Sequence, residues 1–136
     1  MSKPALVFQV HKTFNRCRAA TITLRHGQVR TPVYMPVGTK GAMKGLLSET
    51  LDSLIDCDIQ LANTYHLFLK PGEKMLTDFG GLHRYAKWPR NYLTDSGGFQ
   101  IVSLDALNKI DENGVTFKSH IDGKEFSLTP ERSMEI

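Results

Sequence analysis

Six consecutive residues, Asp95, Ser96, Gly97, Gly98, Phe99 and Gln100, are the stretch of this chain best suited to chemistry. A carboxylate can exchange a proton or accept hydrogen bonds. Two glycines let backbone come close to a ligand, because no Cβ stands in the way. The Phe99 ring offers a stacking face of the kind unstacked bases use. Gln100 carries both donors and an acceptor for reading a polar edge. Together they suit a flat, polar ring held edge-on. The competing reading is plain: Asp-Ser-Gly-Gly is ordinary turn chemistry, with Asp or Ser also able to cap a following helix.

The elements that must position this stretch can be read from the flanking sequence. Tyr92 to Thr94 reads as a short buried strand leading into the turn. Upstream, Ile59-Gln60-Leu61-Ala62-Asn63 reads as another, and Met35 to Val37 as the entry of a first. Between them, Ser48 is a predicted N-cap with Glu49 in the first turn, and Leu47, Leu51, Leu54 and Ile55 lie at helical spacing up to about Cys57. A second helix is expected from Glu73, with Met75, Leu76 and Phe79 on one side, ending at Gly80-Gly81. Strands alternating with helices argue for parallel strands joined by crossovers.

Before this lies a small antiparallel sheet, expected over residues 5–34. Its segments are Ala5 to Val10, Arg18 to Leu24 and Val29 to Tyr34, and Pro32 and Pro36 make the last an edge or exit strand. After Gln100, a brief helix is expected over Ile101 to Leu107 and a turn at Asn113-Gly114. A two-residue hairpin is expected at Asp122-Gly123, and a helix opened by Thr129-Pro130.

Composition excludes several classes. With 40% hydrophobic and 23% charged residues in 136, the chain is globular: one small domain or part of a larger one. A net charge of +3 is too mild to argue for nucleic acid by itself. Cys17 and Cys57 stand alone, which reads as reduced thiols in a reducing compartment, and the five histidines show no metal spacing. No apolar run reaches membrane-spanning length, so an intracellular, cytoplasmic location is the default expectation.

Leu93-Thr94-Asp95-Ser96-Gly97-Gly98-Phe99-Gln100 resembles the signature of the tRNA-guanine transglycosylases, the queuine tRNA-ribosyltransferase family. Further stretches are similar to the same family in the same order: Tyr34 to Thr39, Ala62-Asn63-Thr64-Tyr65-His66-Leu67, Gly80-Gly81-Leu82-His83, and Asp122-Gly123 through Pro130-Glu131-Arg132-Ser133. The resemblance covers nearly the whole chain after about Thr21.

The resemblance implies the N-terminal portion of a (β/α)8 TIM barrel preceded by the small antiparallel sheet. Residues 35–136 would supply its first strand and helix units with a hairpin insertion, an incomplete barrel. It implies exchange of the guanine at the tRNA wobble position for queuine or a related deazaguanine, through a covalent ribosyl–enzyme intermediate. Asp95 matches the family's acid–base aspartate, and Ser96, Gly97, Gly98 and Phe99 its base-binding turn. Gln100 matches a polar pocket-wall residue. Asn63 matches an active-site asparagine, its alternative being a strand-end cap. His66 alone is expected to be a packed or surface histidine.

The implied partners are the tRNA anticodon arm, with Lys40, Lys44, Lys87 and Arg90 as candidate grips, and a second subunit, identical or accessory. The family's nucleophilic aspartate and its Cys/His zinc site match no residue here. The chain is therefore expected to be a piece of a longer enzyme, with no cofactor of its own, zinc in the full-length parent, and no turnover alone. A non-catalytic binding isoform or partner subunit and an archaeal-type transglycosylase are the alternatives.

Overall fold

The computed structural model describes residues 4–104 and 109–136 of the chain. Three strands come first: β1 (Val7–Phe14), β2 (Cys17–Leu24) and β3 (Gly27–Thr31), paired antiparallel in that order. The expected sheet is present, with a longer first strand that carries a register shift between Val10 and Lys12. β3 ends at Thr31 rather than Tyr34, because Pro32 has no amide to give the ladder. Within these strands only Ala20 and Val29 are fully buried, while Phe14, Val7 and Phe8 stay exposed.

The chain then touches the parallel sheet at one residue. Val37 bridges Leu61 in parallel, with Leu61 N–H donating to the Pro36 carbonyl at 2.9 Å and Gly38 N–H to the Leu61 carbonyl at 2.7 Å. The sheet proper consists of β4 (Ile59–Asn63) and β5 (Asn91–Asp95), parallel as expected, with Asn63 opposite Asp95. Four of the five β4 residues are buried, as befits a strand covered on both faces.

The first helix, α1 (Ser48–Ser53), departs from expectation at both ends. Leu47 is its N-cap, with no side-chain capping bond, and Ser48 Oγ instead donates to the Ala86 carbonyl at 2.9 Å. The helix stops at Ser53, short of Cys57, and Asp56 turns the chain with a φ of 52°. Consequently Leu51 is buried, while Leu47, Leu54 and Ile55 of the expected apolar face are exposed. Leu51 packs with Cys57 and Trp88, and the Trp88 indole donates to the Asn91 carbonyl at the start of β5.

Between β4 and β5 the chain makes three short helices where one was expected: α2 (Thr64–Leu69), α3 (Glu73–Asp78) and α4 (Leu82–Ala86). Five- and six-residue helices span too few turns for a periodic pattern to show.

After β5 come α5 (Gly98–Leu104), β6 (Lys109–Asp111), β7 (Gly114–Lys118), β8 (Glu125–Leu128) and α6 (Pro130–Glu135). The predicted extension of the α5 helix through Leu107 lies outside the described residues. The turn before Gly114 closes the β6–β7 pair. The β7–β8 connection is longer than the expected two-residue loop: Ser119 N–H bonds the Lys124 carbonyl, and Ser119 Oγ accepts Ile121 N–H. α6 starts as expected, with Thr129 Oγ1 accepting Arg132 N–H at 3.1 Å and proline in its first turn. Tyr65, Ile101, Phe117 and Leu128 form a second core, which fastens this three-stranded sheet to α2 and α5.

Candidate functional site

The parallel register of β4 and β5 carries Asn63 and Asp95 side by side to the strand ends. Asn63 Nδ2 donates to Asp95 Oδ2 at 2.7 Å. Its other amide atom, Oδ1, accepts the His66 N–H at 3.1 Å and so caps α2. The cap reading of Asn63 holds, and the other end of the same amide meets the Asp95 carboxylate. Asp95 Oδ1 takes main-chain donors, Thr64 N–H at 3.2 Å and Gly97 N–H at 3.0 Å. Asp95 is half-buried and lines a cavity of about 390 Å³ together with Thr64, Leu67 and Ser96.

The glycine turn divides into two roles. Gly97 is buried at φ +70°, and a Cβ there would lie 2.6 Å from Tyr65 Cβ and 2.7 Å from Tyr65 N. The close approach that the missing Cβ permits here is to α2. Gly98 is exposed, and a Cβ there would meet only Ser96 Oγ at 3.5 Å. Here the backbone is open to an incoming group. Phe99 is 77% exposed in the first turn of α5, its ring face uncovered, and Gln100 beside it is half-buried. Neither lines the Asp95 cavity. Ser96 Oγ accepts Gly98 N–H at 3.3 Å, as an ordinary turn would.

The other carboxylates on that cavity, Glu73 and Glu135, both bond to Arg132, so neither is free beside Asp95. His66 sits in the first turn of α2, three residues beyond Asn63, and is half-buried. Burial lowers its proton affinity, and His120, Lys40 and Lys44 act the same way, while Asp95 opposes them. The His120 ring lies 6.4 Å from that of His66, and its Nδ1 is 3.3 Å from the Tyr65 hydroxyl. Tyr65 and His120 were not picked out as site residues from sequence. The one usable signal was the three-residue spacing of Asn63 and His66, which suits a cap.

The basic candidates separate. Lys40 follows Thr39, whose carbonyl accepts the Asn63 N–H at 3.2 Å, and Lys44 lies in the same loop before α1. Lys87 is the left-handed C-cap of α4. Arg90 is engaged by Asp52, Asp56 and Asp58, so its guanidinium ties α1 to the start of β5 instead of reaching for a strand of RNA. Cys17 is exposed and Cys57 buried, and among the described residues no group of three metal-ligating side chains comes together. No helix among the described residues is long and apolar enough to cross a membrane.

Comparison with known proteins adds to this geometry. The profile of a family described as "Queuine tRNA-ribosyltransferase" matches residues 14–136. A queuine tRNA-ribosyltransferase of Psychrobacter sp. is 51% identical over 132 residues, covering 95% of this chain and 34% of the relative. One from Rickettsia canadensis is 50% identical, covering 95% of this chain and 36% of the relative. One from Mesorhizobium japonicum is 48% identical over the whole chain and 36% of the relative. The chain thus spans about a third of the length of the curated relatives it matches.

Proposed function

The chain belongs to the queuine tRNA-ribosyltransferase family, and on that premise we propose that it carries the acid–base carboxylate of a base exchange on tRNA. Guanine at the anticodon wobble position leaves ribose C1′, and queuine or a related deazaguanine takes its place. The observation that carries this reading is the mounting of Asp95. One oxygen is fixed by two main-chain amides, while the other, among the described residues, meets only the Asn63 side chain at the edge of an open cavity.

Breaking a base–ribose bond passes through an oxocarbenium-like transition state, for which a carboxylate pair is suited. One carboxylate attacks C1′ as the bond to guanine breaks, leaving a covalent ribosyl ester. Asp95 gives a proton to the departing base and takes one from the incoming base as that base bonds to C1′ and the ester C1′–O bond breaks, so the exchange is proton-neutral. Asn63 holds Asp95 in place, Phe99 stacks on the base, and Ser96, Gly97, Gly98 and Gln100 form the turn and wall beside it. The attacking carboxylate is assigned to no residue here, since Glu73 and Glu135 are taken by Arg132. The whole enzyme would close a (β/α)8 barrel around these strands and act as a dimer, with itself or an accessory subunit, in the cytoplasm. The residues described do not fit a zinc site, so zinc is assigned to the full-length parent and no step passes through it.

Release of labelled guanine from tRNA tests the reading. In the full-length parent, Asp95→Asn should slow exchange by about 10²–10⁴-fold, and a near-wild-type rate would reject the role. The 136-residue chain alone should show no exchange, and measurable turnover would overturn that expectation. The engagement of both neighbouring glutamates favours a second reading, a binder without catalysis. Native mass spectrometry with a full-length subunit would show it as a stable complex lacking exchange.

A further inference from the structure

Three segments far apart in sequence bring groups that carry or can acquire positive charge to one edge of the Asp95 site. The Gly38–Gly41 turn is bonded to β4 through Gly38 N–H to the Leu61 carbonyl at 2.7 Å and Asn63 N–H to the Thr39 carbonyl at 3.2 Å. Those bonds set Lys40 at the C-terminal end of the parallel strands. His66 sits three residues beyond Asn63, its amide on Asn63 Oδ1. His120 enters from the β7–β8 connection, 3.3 Å from the Tyr65 hydroxyl, with its ring 6.4 Å from that of His66 at an 80° interplanar angle.

Lys40 is exposed and in no ion pair among the described residues. The charged and titratable groups acting on His66 come from every side: His120 from the hairpin, Lys40 and Lys44 from the loop before α1, and Asp95 from β5. His66 therefore stands among two lysines and a second histidine, one amide away from Asp95: Asn63 bonds the His66 N–H at one end and Asp95 Oδ2 at the other. Proton transfer at a base requires only the acid. A nucleotide whose base sits at Asp95, however, brings a phosphodiester on each side of its ribose, and each phosphate carries a negative charge.

We propose that Lys40, His66 and His120 form a phosphodiester-binding edge beside Asp95, gripping the strand next to the exchanged nucleotide. This rests on the reading of Asp95 as the base-exchange residue. Lys40 supplies a permanent charge. His66 is held neutral at neutral pH by burial, donating a hydrogen bond as an imidazole, and gains charge as the medium is acidified.

The test is binding of a fluorescent anticodon stem-loop RNA to the 136-residue chain, followed by anisotropy from about 50 to 200 mM salt and from about pH 8 to 5. Lys40→Gln should weaken binding several-fold and reduce the slope of log K against log salt by about 0.7–0.9. His66→Gln should leave the slope at pH 8 nearly unchanged and remove the tightening seen on acidification, and His120→Gln should weaken binding several-fold. Far-UV circular dichroism checks that each variant is folded. Lys74→Gln is the control, since Lys74 pairs with Asp78 on the exposed side of α3. Slopes and pH responses equal to wild type overturn the proposal. So does a Lys74→Gln effect as large as that of Lys40→Gln, or no binding by the wild-type chain at the lowest salt. Exchange is not read in this experiment, so an unchanged slope removes the phosphate edge alone. The Asp95→Asn assay judges the base-exchange reading separately.

Discussion

The Asn63 amide bonds at both ends: Nδ2 gives its hydrogen to Asp95 Oδ2 at 2.7 Å while Oδ1 takes the His66 amide at 3.1 Å. A helix start and a carboxylate orientation thus share one buried side chain, 4% exposed. Asn63→Ala should lose both, with about 1 kcal/mol from the cap measurable by urea unfolding. In the full-length enzyme, exchange should fall by more than the stability loss explains. Asn63→Asp keeps the cap but faces Asp95 with a second carboxylate. It should preserve stability above the Ala variant and move the acid limb of the exchange–pH profile upward, because a like charge favours protonation.

The two glycines should answer differently to the same methyl group. Gly97→Ala meets Tyr65 backbone and Cβ at under 3 Å from a φ of +70°. It should destabilise the chain by more than about 1 kcal/mol, visible as a lower unfolding midpoint. Gly98→Ala finds room and a helical position, and should leave the midpoint within about 0.5 kcal/mol of wild type. Any loss in the Gly98 variant should appear in base binding.

Phe99→Ala removes a ring that supports no core. Thermal stability should stay unchanged, while affinity of the full-length enzyme for the free base should weaken by about 1–3 kcal/mol if the ring stacks as proposed. Calorimetric titration measures this, and unchanged affinity rejects stacking.

Arg90 holds Asp52, Asp56 and Asp58 from a side chain 26% exposed. Arg90→Met leaves three carboxylates without their shared cation. A cost of about 2 kcal/mol is expected, between the values for surface and buried pairs. RNA affinity should not change beyond what denaturation explains. A loss of affinity at full stability would return Arg90 to the list of RNA contacts.

His83 stacks on His26 with ring centroids 3.6 Å apart and 10° between planes, its Nε2 buried without a hydrogen-bond partner among the described residues. Burial and His26 lower its proton affinity, with a hydrogen bond to the Arg90 backbone working the other way. A base whose folded pKa lies below its unfolded value costs stability once the unfolded form takes up the proton. Stability should therefore fall as pH drops below the ordinary value of 6.5 and level off beneath the lowered one. His83→Phe keeps a ring against His26 and should flatten that part of the curve. A residual slope belongs to His66, shifted in the same direction.

Much of the frame was legible in residue order. The antiparallel sheet, the Ile59–Asn63 and Asn91–Asp95 strands and the Thr129-Pro130 helix start each rest on interactions within a few residues or on continuous apolar runs. The α1 cap was not, because Ser48 found a better acceptor at Ala86, 38 positions away. Nor were α2 and α4, which are held by Asn63 and by packing around Tyr65 and Trp88 rather than by periodicity.

By itself the sequence determined which chemical groups stand at the end of β5: a carboxylate, a glycine turn, a ring and an amide, in that order. It also determined the family, because motif order survives without coordinates. Only the tertiary structure decided what each group faces. Parallel register put Asn63 against Asp95, the α2 backbone claimed the space beside Gly97, three aspartates claimed Arg90, and a distant hairpin carried His120 to Tyr65 and His66. Local composition fixes what a side chain can offer, whereas its partner is fixed by which distant segments the packing brings within hydrogen-bond reach.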